Sequence, residues 1–253
     1  MRLAYATLHD CSLVPIAAAR GFFKEEGLAV QLQPHGYGKT ALEAVLEGKA
    51  DIATVAETPF MFGVLRGERL SVIGSIFTTN KNHAIVARRN SGISLPGDLK
   101  KKRIGFTRGT TSHIFLSSFL TANHLAMDDV TLVDLEPDRM QEALSSGRVD
   151  AVSAWSPTDK VLEATLAHEG IVFNDPHIYT ETFVLAGRTS FVDGNQEAMR
   201  RLLRAMLKAE AFAARHPEDA KAIVSAALDL PVPLLTKLWD DGSRAVLLDH
   251  AVE

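Results

Sequence analysis

Cys11 is the only cysteine in this chain of 253 residues. No intrachain disulfide can form, so folding rests on the core alone, and a lone cysteine suits the cytosol or an exported protein without staples. No apolar run approaches the roughly 18 residues that a membrane span requires. No basic excess exists: 27 Lys and Arg face 31 Asp and Glu, a net charge of −4 that argues against a nucleic-acid partner. The nine histidines include no HExxH pair and Cys11 has no partner cysteine, so neither a metal site nor a cofactor is expected. Low-complexity tracts are missing. So is a positively charged start followed by an apolar stretch, the mark of a signal peptide. Met1 runs directly into the strand-like RLAYAT, and the expectation is a mature domain from which a signal peptide has been removed.

What remains is ordinary globular material, 46% hydrophobic and 23% charged. That is enough to bury a sizeable core, as one large domain or two small ones. Short apolar runs alternate with helical patterns, which predicts βαβ units and a largely parallel sheet. Strands are expected at 3–7, 28–33, 52–55 and 71–76, with helices at 14–26, 40–46 and 59–65. The programme then restarts: strands at 103–109, 130–135 and 151–154, helices at 112–123 and 138–145. The joint EAVLEGKADIATVAET, beginning at Glu43, returns 99 positions later as EALSSGRVDAVSAWSP, beginning at Glu142. A duplicated β-α-β-α-β unit explains the echo. Beyond Gly170, strands are expected at 171–174 and 182–186, the second returning to the first lobe. A helix follows at 195–215, with Met199, Leu202, Leu203, Met206 and Phe212 on one stripe as core. Pro217 opens the next helix, at a position where its missing N–H costs nothing.

In open α/β sheets, ligands bind beyond the carboxyl ends of the strands, where helix N-termini present free N–H groups. The segments at those ends carry the candidates. Gly109, Thr110, Thr111 and Ser112 combine a turn glycine with three hydroxyls ahead of an apolar helix, a cradle for an oxyanion. Plain N-capping would need only one of those hydroxyls. Gly38-Lys39-Thr40 is not a phosphate loop, because that motif needs a glycine at position 33, which is Gln33. Glu57 ends one third strand and Trp155 the other. Glu57 either faces a cleft or is an ordinary surface carboxylate, and Trp155 either stacks on a solute or walls the cleft. His9, Asp10 and Cys11 follow the first strand, where a Cys beside a His can serve as a nucleophile, or Cys11 can be a small buried apolar group.

The stretches GFFKEEGLAVQL, AETPFMFGVLRG, LPGDLKKKRIGFTRGTTSHIFL and GRVDAVSAWSP together resemble the substrate-binding proteins of ABC importers for sulfonates, taurine and nitrate. The aliphatic sulfonate-binding, NMT1-like members are the best match, with residues 98–116 the most specific block. The resemblance implies an α/β two-lobed periplasmic-binding-protein fold, type II, with two mixed, mostly parallel sheets, flanking helices and a two-crossing hinge. It places lobe 1 at 1–83 plus 182–253 and lobe 2 at 84–181, the crossings near 82–86 and 179–183, and a ligand cleft between the lobes. It implies a monomer outside the cytoplasm that binds a small anionic solute by lobe closure, hands it to a membrane permease, and performs no catalysis. Carried over by position, the ligand contacts would be His9, Asp10, Tyr37, Gly38, Glu57, Thr58, Thr110, Thr111, Ser112 and Trp155. The alternative is an enzyme on the same scaffold, similar to a desulfinase, using Cys11; a third is the sensor domain of a receptor kinase. The chain stops at Glu253, before a final helical stretch that the resemblance leads one to expect.

Overall fold

The computed structural model describes residues 1–247. Its contacts divide the chain into two compact units: Met1–Thr79 with the segment from Glu181 onward, and Asn80–Thr180. The boundaries at 79/80 and 180/181 precede the expected 83/84 and 181/182. The crossings fall there because the strand Leu70–Thr79 ends where its partner Glu181–Arg188 begins, Glu181 pairing with Thr79; a strand at His83–Arg88, absent from the expected elements, pairs wholly inside the second unit.

The first unit opens β1 (Arg2–Ala6), α1 (Leu13–Ala19), α2 (Phe22–Glu25), β2 (Gln31–His35), α3 (Gly38–Leu46), β3 (Ile52–Ala56), α4 (Glu57–Leu65) and β4 (Leu70–Thr79). The single helix expected at 14–26 is two, because Gly21 takes φ +74, a left-handed turn that glycine adopts without strain. β2 starts later than expected: its register against β1 pairs Leu3 with Leu32 and Ala6 with His35.

The second unit holds β5 (His83–Arg88), β6 (Arg103–Phe106), α5 (Thr111–Ala122), β7 (Thr131–Asp134), α6 (Met140–Ser145), β8 (Ala151–Trp155), α7 (Thr158–Leu166) and β9 (Gly170–Phe173). The chain then returns to the first unit as β10 (Glu181–Arg188), α8 (Thr189–Gly194), α9 (Gln196–Arg215), α10 (Pro217–Leu228) and α11 (Val232–Trp239). The expected stripe on α9 is buried at Met199, Leu202, Met206 and Phe212.

Each unit builds one five-stranded sheet to the same plan. The orders are β2-β1-β3-β10-β4 and β7-β6-β8-β5-β9. The first three strands of each are mutually parallel, and the fourth runs antiparallel to both its neighbours. β3 and β8 are buried at every residue, as expected of parallel strands with both faces covered. In the second unit, Ile85, Phe106, Phe115, Leu116 and Phe119 fill one face and Val86, Leu144, Val152 and Leu162 the other.

The repeated joint has a physical purpose in both sheets. Gly48 (φ +72) and Gly147 (φ +77) end their helices in the left-handed region. The aspartate three positions on then clasps the first residue of the opening strand. Asp51 accepts the Arg2 N–H at 2.7 Å and pairs with its guanidinium at 2.6 Å. Asp150 does the same for Arg103, at 2.9 and 2.7 Å. The echo in the sequence is a strand-end clasp made twice.

Candidate functional site

The carboxyl edge of the first sheet collects six of the expected residues. β1 leads into a short 3-10 turn containing His9, Asp10 and Cys11, all buried. The His9 ring meets Phe77 edge-on at 5.7 Å, and its Nε2 lies 3.2 Å from Asp10 Oδ1. Burial first, then the Arg244 charge, lower the His9 pKa to about 3, so the imidazole is neutral at any ordinary pH. Tyr37 stands before α3 in extended conformation, and its carbonyl accepts the Thr40 hydroxyl at 2.8 Å. Gly38 is held against β3: a Cβ there would sit 3.0 Å from Val55 Cα and 3.3 Å from Ala56 N. That close approach, not phosphate binding, is why glycine stands at 38.

Glu57 and Thr58 form the first turn of α4. Of the alternatives for Glu57, the structure shows a carboxylate tied into the sheet: Oε2 accepts the Thr182 N–H at 2.8 Å and Oε1 accepts the Thr58 hydroxyl at 2.7 Å. Cys11 is fully buried, its Sγ 3.1 Å from Thr54 Oγ1, and burial pushes its thiol well above the ordinary range. A thiolate nucleophile needs the opposite environment.

The carboxyl edge of the second sheet presents residues 109–112 and Trp155. Gly109 takes φ +73, and Thr110 precedes α5, a twelve-residue helix. The three-hydroxyl reading needs correction here. Thr110 Oγ1 donates to Thr107 O at 2.7 Å. Ser112 Oγ donates to Ser153 O and Ser153 Oγ returns a bond to Ser112 O, both at 2.9 Å. Two hydroxyl protons therefore lock β6, α5 and β8 together and are not offered to a ligand. The Thr111 hydroxyl and the N–H groups of Thr111 and Ser112 have no partner among the described residues. They stand at the positive end of α5, the arrangement that holds an oxyanion. Trp155 closes β8 opposite His83 and is buried.

Sequence reasoning missed Thr54 and Ser153, which bond the candidates Cys11 and Ser112 from far along the chain, and Arg244, which bonds Ser12 beside Cys11. Arg244 Nε donates to Ser12 Oγ at 3.0 Å, 232 positions away. No local pattern could have announced them. Among the described residues, no group of three or more His, Cys, Asp or Glu could hold a metal ion, and no helix is long and apolar enough to cross a membrane.

Known proteins share both the sequence pattern and the fold. A putative aliphatic sulfonates-binding protein of Bacillus subtilis (strain 168) is 28% identical over 222 residues, covering 85% of this chain and 66% of the relative. A protein of that description from Escherichia coli (strain K12) is 27% identical over 206 residues, 80% of this chain and 63% of the relative. The chain thus spans just under two thirds of the length of these relatives. Among solved structures, the periplasmic aliphatic sulphonate binding protein SsuA from E. coli superposes with a TM-score of 0.84 at 21% identity, over 100% of this chain and 87% of that one. SsuA from Xanthomonas axonopodis pv. citri, bound to MOPS, gives 0.84 at 19%, over 100% and 88%. The fold is that of the periplasmic binding proteins. A family model described as NMT1/THI5 like matches residues 11–220, and the chain belongs to that family.

Proposed function

We propose that this chain is the solute-binding component of an ABC importer, working outside the cytoplasm as a monomer, and that it holds a small organic oxyanion, a sulfonate being the best-supported class. One observation carries the reading: the N–H groups of Thr111 and Ser112 and the Thr111 hydroxyl, without partners among the described residues, gathered at the N-terminus of a twelve-residue helix at the carboxyl ends of parallel strands. The relatives named for sulfonate binding supply the ligand class. In this reading the edge of the first sheet, with His9, Asp10, Tyr37, Gly38, Glu57 and Thr58, contacts the same solute as Gly109, Thr111, Ser112 and Trp155. Ligand contacts with both units would shift an open–closed equilibrium. A membrane permease is the partner that receives the solute. The buried, hydrogen-bonded Cys11 counts against turnover on the same scaffold.

The test uses thermal shift across small oxyanions to find a ligand, then calorimetry on Thr111→Pro. Proline at the first position of a helix leaves the helix intact. It removes one N–H and one hydroxyl from the cradle, which should weaken binding by about ten- to a hundredfold. Unchanged affinity in a folded Thr111→Pro variant refutes the assignment, and no stabilisation by any sulfonate refutes the ligand class.

A further inference from the structure

The strap that follows α11 is tied to both β4 and α9 by hydrogen bonds of its backbone. Ser243 and Thr78 exchange backbone hydrogen bonds at 2.8 and 2.9 Å, and Leu247 and Ser75 at 3.2 and 2.9 Å, so the strap adds antiparallel bridges to β4. The Val246 N–H donates to Glu210 Oε2 at 2.8 Å, pinning the far end to α9. At the near end Gly242 lies on Phe77 so closely that a Cβ would come within 2.2 Å of its ring.

Arg244 is the residue this strap delivers. Its guanidinium carbon sits 3.9 Å from the centre of the Trp239 ring and 5.4 Å from that of Phe77. Nη1 donates to the Trp239 carbonyl, and Nε donates to Ser12 Oγ at 3.0 Å. Among the described residues, Nη2 is buried with no hydrogen-bond partner, and so are both ring nitrogens of His9, which also packs on Phe77. Burial outweighs the pull of Asp10 and Asp240 and lowers the Arg244 pKa to about 10, leaving it charged. Removing a cation from water is costly unless its neighbours make strong use of it. Its neighbours here are the two ends of the turn that follows β1: Ser12 directly, and His9 through Phe77.

We infer that Arg244 is a positioning residue, which fixes the turn of residues 9–12 from the far end of the chain and so presets the first-sheet half of the solute site. The inference rests on the proposed solute-binding reading only for its second clause. A planar, forked cation is needed because one face must lie on Trp239 while an edge reaches Ser12; lysine supplies neither.

The experiment compares Arg244→Gln, Arg244→Lys and Glu210→Ala with the unaltered chain, using amide hydrogen exchange and calorimetry with ethanesulfonate as the probe. Glu210→Ala loosens the strap at the end away from the turn, so it controls for general destabilisation. In both Arg244 variants the Cys11 and Ser12 amides, which bond to Leu8 O and His9 O at 3.0 and 3.1 Å, should exchange about tenfold faster. Sulfonate affinity should fall by a similar factor, and Lys should rescue neither readout. Glu210→Ala should lower the melting temperature and leave both readouts unmoved. If exchange at 11 and 12 is unchanged in Arg244→Gln, or Arg244→Lys restores it, the inference is overturned. It is overturned equally if the turn loosens while affinity stays constant. If the unaltered chain binds no sulfonate, the functional reading falls with the second clause, and the exchange data still decide whether Arg244 holds the turn.

Discussion

Replacing Asp150 by alanine tests whether the repeated joint works as the structure implies. The Asp150 side chain is 13% exposed and serves three groups. Oδ2 accepts the Arg103 N–H at 2.9 Å and Nε at 3.1 Å, Oδ1 meets Arg103 Nη2 at 2.7 Å, and Arg88 Nη2 lies 3.6 Å away. The backbone N–H bond to a carboxylate is worth about 1.5–3 kcal/mol, toward the lower end here because the bond is exposed. The guanidinium pair adds less, because the Arg103 side chain is 45% exposed and water screens it. The sum is about 2 kcal/mol, or a fall of about 4–8 °C in melting temperature for a chain of this size. Burial works to raise the Asp150 pKa, but the Arg103 hydrogen bonds and the charges of Arg103 and Arg88 pull harder, and the net shift is downward from 3.8. A depressed carboxylate stabilises the fold above its unfolded pKa and loses that contribution as pH falls through the folded one. Calorimetry and urea denaturation should therefore show the full deficit of Asp150→Ala at pH 7 and a shrinking one toward pH 3. A loss below about 0.5 kcal/mol at pH 7, the size of an ordinary surface substitution, refutes the clasp; so does a deficit that does not change with pH.

Cys11 should resist a thiol-specific disulfide reagent in the native state and react stoichiometrically in denaturant, since its sulfur is buried and held protonated; rapid native modification would contradict this. His83, buried in β5 against Phe115 and Tyr179, has its pKa lowered by burial from 6.5 to about 3, as His9 does. In this window the unfolded chain binds more protons than the folded one. Stability is full above pH 6.5 and should fall toward pH 5 by up to about 1.4 kcal/mol per pH unit for each such imidazole. Urea titrations that stay flat between pH 6.5 and 5, or whose slope His83→Gln does not reduce, would rule out the buried neutral state.

Much of the fold was legible because parallel sheets write themselves locally. ATVA in β3 and AVSA in β8 are unbroken small and apolar runs, as strands covered on both faces must be. What failed did so for identifiable reasons. β5, HAIVAR, was missed because its neighbours β8 and β9 lie far along the chain and no turn signal flags an antiparallel insertion. The helix at 14–26 broke at Gly21, where the local pattern ran on but the backbone turned left-handed. In the site, residues 109–112 were found as a cluster, yet two of their three hydroxyls face Thr107 and Ser153.

By itself, the sequence determined the order of the parallel strands and the duplicated joint with its glycine and aspartate, and it flagged the cluster at the head of α5. These depend on periodicity and on near neighbours. The partners were decided only in three dimensions: that the hydroxyls of Thr110 and Ser112 donate to Thr107 and Ser153 carbonyls, that Glu57 serves Thr182, that Thr54 takes up Cys11, and that Arg244 reaches back to Ser12. Such pairings are chosen by geometry between segments that one-dimensional spacing leaves unrelated, and by the cost of burying a polar group without one.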